Sequence, residues 1–203
     1  MRKLLTGLVL TFGLTGLAQA DGDPEAGKEI AQNQCVSCHG PQGTEPLQPS
    51  YARLAGLGEN YLFKQLSDIK SGDRSVPEMM GIVPNLDEQD MRDLAAYYDQ
   101  QEMPKGEASP GNIDAGESLY RGGDLSQDIA ACIACHGPQG LGNDPAGYPR
   151  VSGQSAEYVV KALKDYRSGD RVYGEKGQIM GDIASKLDDD EIKAVADYIE
   201  GLH

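Results

Sequence analysis

Apolar residues recur at helical spacing along most of the chain. The clearest stripes occupy the last predicted helix of each half, where apolar residues follow one another at intervals of 3, 1 and 3 positions: Met91, Leu94, Ala95 and Tyr98, then Ile192, Val195, Ala196 and Ile199. A middle helix shows a similar stripe in each half: Leu62, Leu66 and Ile69, then Val159, Leu163 and Tyr166. Strand-like alternation does not extend beyond a few residues, so the pattern predicts an all-α protein.

Polar residues at predicted helix starts support these assignments. Asp87 and Asp188 each precede an apolar helix, carry an acidic residue three positions on and follow a leucine, which is typical of a cap with a hydrophobic staple. Asp23 before Pro24 predicts the start of a first helix, and Asp114 with Glu117 predicts a capping box at its counterpart.

The chain repeats itself at an offset of 97 residues. The offset relates two Cys-x-x-Cys-His motifs, the Gly-Pro-Gln-Gly after each, and further matched positions: Arg53 and Arg150, Gly56 and Gly153, Tyr61 and Tyr158, Lys64 and Lys161, Leu66 and Leu163, and Ser-Gly-Asp-Arg at 71–74 and 168–171. Beyond Gln178 the offset becomes 101, which matches Met79 to Met180. The repeat predicts two tandem domains at 21–103 and 112–203, joined by a linker at 104–111. These domains are the first and second halves of the protein.

The repeated motif points to a specific cofactor. Cys35, Cys38 and His39, and again Cys132, Cys135 and His136, have the spacing of c-type haem attachment. The two sulfurs of a motif can form thioethers with the two vinyl groups of one porphyrin edge, and the adjoining imidazole becomes an axial iron ligand. A thioredoxin-like dithiol would need a βαβ setting, and a zinc ion shared by both pairs would draw ligands from two separate repeats. Two covalently bound haem c groups are therefore expected.

The N-terminus resembles a secretory signal. Arg2 and Lys3 precede an apolar run that ends at Ala18-Gln19-Ala20, a small-x-small cleavage site, so residues 1–20 are expected to be removed and the remainder exported. The run is shorter than the ~20 residues of a spanning helix. Every cysteine lies in a haem motif, which fits covalent attachment in an oxidising compartment.

The exported part of the chain is strongly acidic. Residues 21–203 contain 16 Lys and Arg against 32 Asp and Glu, a net charge of −16. This balance argues against binding nucleic acid or anionic membranes, and it favours partners with basic docking surfaces. The alternative is that the charge serves solubility alone.

Methionines at one repeat position are candidates for the second axial ligand of each iron. Met79 and Met180 are matched by the repeat and lie 40 and 44 residues after His39 and His136. A thioether on the second face stabilises ferrous iron and leaves no open position for substrate. Met80 competes with Met79 by adjacency, but its repeat counterpart is Gly181.

These features together resemble the cytochrome c4 family, the dihaem class I cytochromes c. The resemblance rests on the paired motifs, Tyr-Leu-Phe-Lys-Gln-Leu-Ser-Asp-Ile-Lys at 61–70, Glu-Met-Met-Gly-Ile at 78–82 and Ala-Asp-Tyr-Ile-Glu-Gly-Leu-His at 196–203. It implies two cytochrome c folds related by a pseudo-twofold, with the propionate edges of the haems facing across the interface. It also implies that Gly27 and Gly116 let the first helix of each half cross the last one closely, beneath Tyr97 and Tyr198.

The resemblance further implies a periplasmic electron carrier without enzymatic activity of its own. A quinol-oxidising complex or a dehydrogenase would be the donor and a terminal oxidase the acceptor, with the carrier itself a monomer; peripheral membrane association is left open. The alternatives are an electron-transfer subunit of a flavocytochrome-type dehydrogenase, and catalysis at one haem, which would require an exchangeable sixth ligand.

Overall fold

The computed structural model describes residues 21–111 and 113–203, so the predicted leader at residues 1–20 lies outside the described residues. The α-helices of the first half are α1 (Pro24–Gln34), α2 (Val36–His39), α3 (Glu59–Ser71) and α4 (Glu88–Asp99). Short 3-10 turns at Pro41–Gly43, Pro77–Met79 and Val83–Asn85 connect them.

The second half repeats this order with one extra helix. Its α-helices are α5 (Ile113–Gly122), α6 (Ile133–His136), α7 (Ala156–Ser168), α8 (Gly174–Ala184) and α9 (Asp189–Gly201), with a 3-10 turn at Asp144–Ala146. Within the described residues β-pairing is limited to two isolated bridges, Asp124 with Ile129 and Asn143 with Tyr148, which agrees with the all-α prediction. None of the helices in this part of the chain has the length and apolarity needed to span a bilayer.

Three of the four predicted helix caps are confirmed. The Asp23 side chain accepts a hydrogen bond from the Glu25 N–H at 3.0 Å, and complete capping boxes form at Asp87 and Asp188. The prediction at Asp114 is wrong, because α5 already includes Ile113 and Asp114 lies inside its first turn. There the carboxylate faces the positive end of the helix dipole without acting as the cap.

The first and last helices of each half cross at a glycine, as the resemblance implied. A Cβ on Gly27 of α1 would lie 2.0 Å from the Asp93 carbonyl oxygen of α4. A Cβ on Gly116 of α5 would lie 2.2 Å from the Ala194 carbonyl oxygen of α9 and 2.6 Å from Tyr198 Cβ. Any side chain at these positions would force the helices apart, so the repeated glycines fix the crossing that frames each core.

Each half has its own apolar core. In the first half α1, α3 and α4 enclose buried side chains that include Leu62, Leu94 and Tyr98. In the second half the cluster includes Tyr120, Ile192 and Val195, and Met180 packs against it.

Polar contacts join the two halves. Asp144 of the second half accepts hydrogen bonds from the Asn60 backbone N–H at 3.0 Å and from the Asn60 side chain at 2.8 Å. Arg53 pairs with Glu200 at 3.2 Å across the boundary. These directional bonds fix one half against the other more specifically than apolar packing would.

Candidate haem sites

The Cys-x-x-Cys-His motifs lie on single helical turns. Cys35 directly follows α1 and donates its N–H to Ala31 O at 2.9 Å, and α2 then carries Cys38 and His39. Spacings of three and four residues bring the two sulfurs and the imidazole to one side of the turn. Gly40, with φ of +73°, and Gly137, with φ of +78°, end the turns with a left-handed residue that a side chain would strain.

Both motif histidines are held in the same way. His39 Nδ1 lies 2.9 Å from the Ala52 carbonyl oxygen, and His136 Nδ1 lies 2.9 Å from the Pro149 carbonyl oxygen. A carbonyl can only accept, so Nδ1 carries the proton and the lone pair on Nε2 is free to bind a metal. The carbonyls are 13 residues after each histidine and are matched by the 97-residue offset, yet their identity as partners could not be read from the sequence.

Burial keeps these groups neutral. Desolvation lowers the pKa of His39 and of His136, although the hydrogen bond to each carbonyl opposes the shift. Burial also raises the pKa of Cys35, against a hydrogen bond from Tyr98, and raises that of Cys132 to about 11. A neutral imidazole is the form that ligates iron, so the histidines are prepared for coordination.

A large cavity, lined mainly by the second half and closed on one side by α3 of the first, contains the whole second set of predicted site residues. Cys132, Cys135, His136 and Met180 all line it, and its volume is about 580 Å³. This is within the size range of cofactor sites, and much of the wall is aliphatic: Leu119, Ile129, Val159, Leu163 and Ile199. The chemistry of the donors and the apolar wall fit a porphyrin.

A buried arginine completes this wall. Arg171 is 4% exposed, and its guanidinium donates to the hydroxyls of Tyr158 at 3.2 Å and of Tyr61, from the first half, at 2.8 Å. Its Nε has no hydrogen-bond partner in the part of the chain that the structure describes. A buried cation requires an anion, and the carboxylates of a haem would supply one. Arg171 is therefore a second feature of this cavity that fits a haem. The sequence marked Arg171 only as a repeated residue.

The two candidate methionines differ in local structure. Met180 lies within α8 and packs against the second core, whereas Met79 ends the 3-10 turn Pro77–Met79. Met79 is half-buried and Met80 is 49% exposed. The change of the repeat offset from 97 to 101 before Met180 is the sequence signal of this difference, because the second half has four more residues here and forms α8 where the first half has a short turn.

A metal site of another kind is not apparent. In the part of the chain that the structure describes, no group of three or more His, Cys, Asp or Glu side chains is arranged to hold a metal ion.

Comparison with known proteins identifies the class. The family model described as Cytochrome c matches residues 24–102 and again residues 114–203. Together with the paired motifs, this defines a c-type cytochrome with two tandem cytochrome c domains.

The particular family follows from individual relatives. Cytochrome c4 of Pseudomonas aeruginosa is 48% identical over 203 residues, which cover all of both chains. The crystal structure of reduced recombinant cytochrome c4 from Pseudomonas stutzeri has a TM-score of 0.85 at 44% identity, over 90% of this chain and all of that one. The chain belongs to the cytochrome c4 family, and its cofactors are two haem c groups.

A further relative carries a different name. A thiosulfate dehydrogenase electron acceptor of Stutzerimonas stutzeri is 36% identical over 192 residues, covering 90% of this chain and 87% of that one.

Proposed function

We propose that this protein is a dihaem electron carrier of the periplasm that transfers electrons between respiratory complexes and performs no substrate chemistry itself. A quinol-oxidising complex or a dehydrogenase supplies the electrons, and a terminal oxidase receives them. The protein acts as a monomer with an acidic surface.

One observation carries this proposal: the same donor set occurs at repeat-matched positions. His39 and His136 each have Nδ1 engaged by a backbone carbonyl at 2.9 Å, which leaves the Nε2 lone pair free to bind a metal. Met79 and Met180 are at matched positions before the capped last helices. Haem iron with both axial positions filled supplies one-electron transfer without binding substrate.

The roles of the residues follow. Cys35 and Cys38 hold the first haem as thioethers, and Cys132 and Cys135 hold the second. His39 with Met79, and His136 with Met180, are the axial ligands. The half-burial of Met79 and the exposure of Met80 support Met79 as the ligand of the first iron.

The chain divides accordingly. Residues 1–20 are a cleaved signal peptide, 21–103 and 112–203 are the two domains, and 104–111 is the linker. The two matches to the family model, at 24–102 and 114–203, support this division.

The charge of the carrier determines its partners. A net charge of −16 over residues 21–203 attracts a basic docking surface and accelerates encounter at low salt. The rate constant of electron transfer with such a partner falls as ionic strength rises, because the charges are screened over a Debye length of about 10 Å at 0.1 M salt.

The test is made on the mature native protein. We expect a mass that includes two haem groups, a near-infrared charge-transfer band of methionine-ligated ferric haem with the amplitude of two sites, and no binding of carbon monoxide by the reduced protein. Fewer than two haems, a high-spin spectrum or ready binding of carbon monoxide would refute the proposed function as an electron carrier.

A second candidate is an electron acceptor dedicated to one dehydrogenase, in place of the flavocytochrome subunit considered from the sequence. The relative named as a thiosulfate dehydrogenase electron acceptor favours it. Size-exclusion chromatography of the protein from its source distinguishes the two, because a dedicated subunit elutes with its dehydrogenase and a free carrier elutes alone.

A further inference from the structure

One peptide group in the first half links a predicted haem ligand to the other half of the protein. The carbonyl oxygen of Ala52 lies 2.9 Å from His39 Nδ1. The N–H of the same peptide unit, which belongs to Arg53, donates to Gln154 Oε1 of the second half at 2.9 Å. His39, the 52–53 peptide and Gln154 therefore form one continuous chain of hydrogen bonds across the domain boundary.

Gln154 is held rigidly in this role. Its side-chain NH₂ donates to the Arg53 carbonyl at 2.9 Å, and its Oε1 also accepts the Ser155 N–H at 3.0 Å. The residue is 4% exposed, so water does not compete for these bonds. Next to it, Arg53 Nη1 donates to the Gly153 carbonyl at 2.5 Å.

Among the described residues of the second half, no equivalent connection forms. His136 donates to the Pro149 carbonyl at the same distance of 2.9 Å. At the 97-residue offset, however, the counterpart of Gln154 is Leu57, which has no polar side-chain atom. The protein thus contains its own internal control, with a histidine in the same carbonyl contact but without the amide beyond it.

The physical effect follows from the polarisability of the peptide group. Resonance couples the C=O and N–H of one peptide, so the hydrogen bond that the Arg53 N–H donates to Gln154 makes the Ala52 carbonyl oxygen more negative. The hydrogen bond that this oxygen accepts from His39 Nδ1–H then becomes stronger. A stronger acceptor at Nδ1–H makes the imidazole a more basic iron ligand. A more basic ligand favours ferric iron and lowers the reduction potential.

We propose that Gln154 is a positioning residue that acts from the second half through the 52–53 peptide to strengthen His39 as a ligand, and so lowers the potential of the first haem selectively. This inference rests on the proposed function, because it requires His39 to ligate the first iron. The second haem lacks this influence because Leu57 stands in the matched position.

The test compares two variants that weaken the same boundary. Gln154→Met approximates the volume of the side chain and removes the acceptor for the Arg53 and Ser155 N–H groups as well as the donor to the Arg53 carbonyl. Ser155→Ala removes the hydrogen bond from Ser155 Oγ to the Pro49 carbonyl, 2.6 Å long, and leaves the Gln154 connection in place. Proton NMR of the reduced protein observes the Nδ1–H of each histidine, and a redox titration resolved by haem measures both potentials.

For Gln154→Met we expect the His39 Nδ1–H signal to move upfield and the potential of the first haem to rise. The reduced-to-oxidised ratio of that haem at fixed potential should increase about threefold, or about 28 mV at 59 mV per tenfold for a one-electron couple. The His136 signal and the second potential should stay unchanged, and Ser155→Ala should alter neither haem.

Several outcomes would overturn the inference: an equal shift of both haems, the same shift in Ser155→Ala, or a fall in the first potential, which would indicate that a loosened interface had admitted water. If Gln154→Met does not fold, Gln154→Glu keeps an acceptor for the Arg53 N–H, and the His39 signal should then stay in place or move downfield; an upfield move would contradict the proposal. Failure of the proposed function is distinguishable, because wild-type protein would then lack two low-spin His/Met haems.

Discussion

Tyr120 packs against Tyr198 with ring centroids 5.5 Å apart and tilted by 49°. In the first half the corresponding pair is formed by neighbours on one helix, Tyr97 and Tyr98, at 5.0 Å. The repeat aligns Tyr120 with Ala31, and Ile199 with Tyr98. In the second half, the tyrosine that pairs with Tyr198 therefore lies on the first helix, as Tyr120, whereas in the first half both tyrosines lie on the last helix. A tyrosine pair lies beside the haem motif in both halves.

This exchange predicts strong coupling between positions 120 and 199. Tyr120 is fully buried, so Tyr120→Ala should lower the free energy of unfolding by about 3–4 kcal/mol. Adding Ile199→Tyr, which restores the arrangement of the first half, should recover part of that loss. Denaturant unfolding of the single and double variants measures the coupling, and strictly additive effects would show that the two sites do not share one space.

The hydroxyl of Tyr120 makes a separate contribution. It donates to the Gly137 carbonyl at 2.7 Å, directly after the second haem motif. Tyr120→Phe keeps the ring and should cost about 1 kcal/mol of unfolding free energy. Equal losses in Tyr120→Phe and Tyr120→Ala would contradict the assignment of most of the energy to packing.

Asp144 caps a helix of the other half. Gly58 precedes α3 and has no side chain to cap it, and Asp144 accepts the Asn60 N–H at 3.0 Å in its place. Asp144→Ala should therefore cost about 1 kcal/mol and loosen the domain boundary. Calorimetry and limited proteolysis of residues 104–111 report the two effects. Asp144→Asn, which keeps an acceptor, is the control and should lose less.

The two adjacent methionines should behave differently when replaced. Met79→Leu should open the first iron, so that reduced protein binds carbon monoxide at one haem of the two, and Met180→Leu should do the same at the second. Met80→Leu is the matched control, because Met80 is 49% exposed and should bind none. Binding of carbon monoxide by Met80→Leu but not by Met79→Leu would show that Met80, and not Met79, is the ligand of the first iron.

Asp189 gives a stability effect with a defined dependence on pH. Hydrogen bonds from Arg167 at 2.5 Å and from Lys164 at 3.0 Å lower its pKa to about 2. Because the folded pKa lies below the unfolded value of about 3.9, the stabilisation is present above pH 4 and is lost as pH falls toward 2. Asp189→Asn should therefore lower the melting temperature at pH 7 and lower it much less at pH 2, where the carboxyl of the folded protein is already partly protonated.

A neighbouring residue provides the control for this experiment. Asp190 has a side chain that is 94% exposed and lies 3.3 Å from Lys193. Asp190→Asn makes the same change of charge on the same helix and should shift the melting temperature less. A pH-independent difference for Asp189→Asn would contradict the role of its carboxylate.

Much of the fold was predictable because the helical spacing of apolar residues is a local signal and occurs in both halves of the repeat. The stripes of α4 and α9 and the caps at Asp87 and Asp188 depend on neighbouring residues alone, and the structure has them as predicted. The start of α5 was misjudged from the residues next to it, because the helix begins at Ile113 and Asp114 lies in its first turn.

The parts of the site that the sequence did not reveal are contacts between distant segments. The carbonyls of Ala52 and Pro149 carry no residue-specific signal, because any residue supplies a backbone carbonyl. Arg171 and Gln154 acquire their roles only where the two halves meet, and Gln154 has no polar counterpart in the repeat. The internal repeat identifies only the features that both halves share, and the contacts of Arg171 and Gln154 are not shared.

The helix that surrounds Met180 and the short turn that ends at Met79 give the two proposed iron–sulfur bonds unequal mechanical support. Met180 lies in the 11-residue helix α8, which holds its backbone in place, whereas Met79 ends a 3-residue 3-10 turn that holds its backbone less firmly. Under heat or denaturant the first centre should lose its thioether while the second is still intact, so one polypeptide contains both a fragile and a durable redox centre.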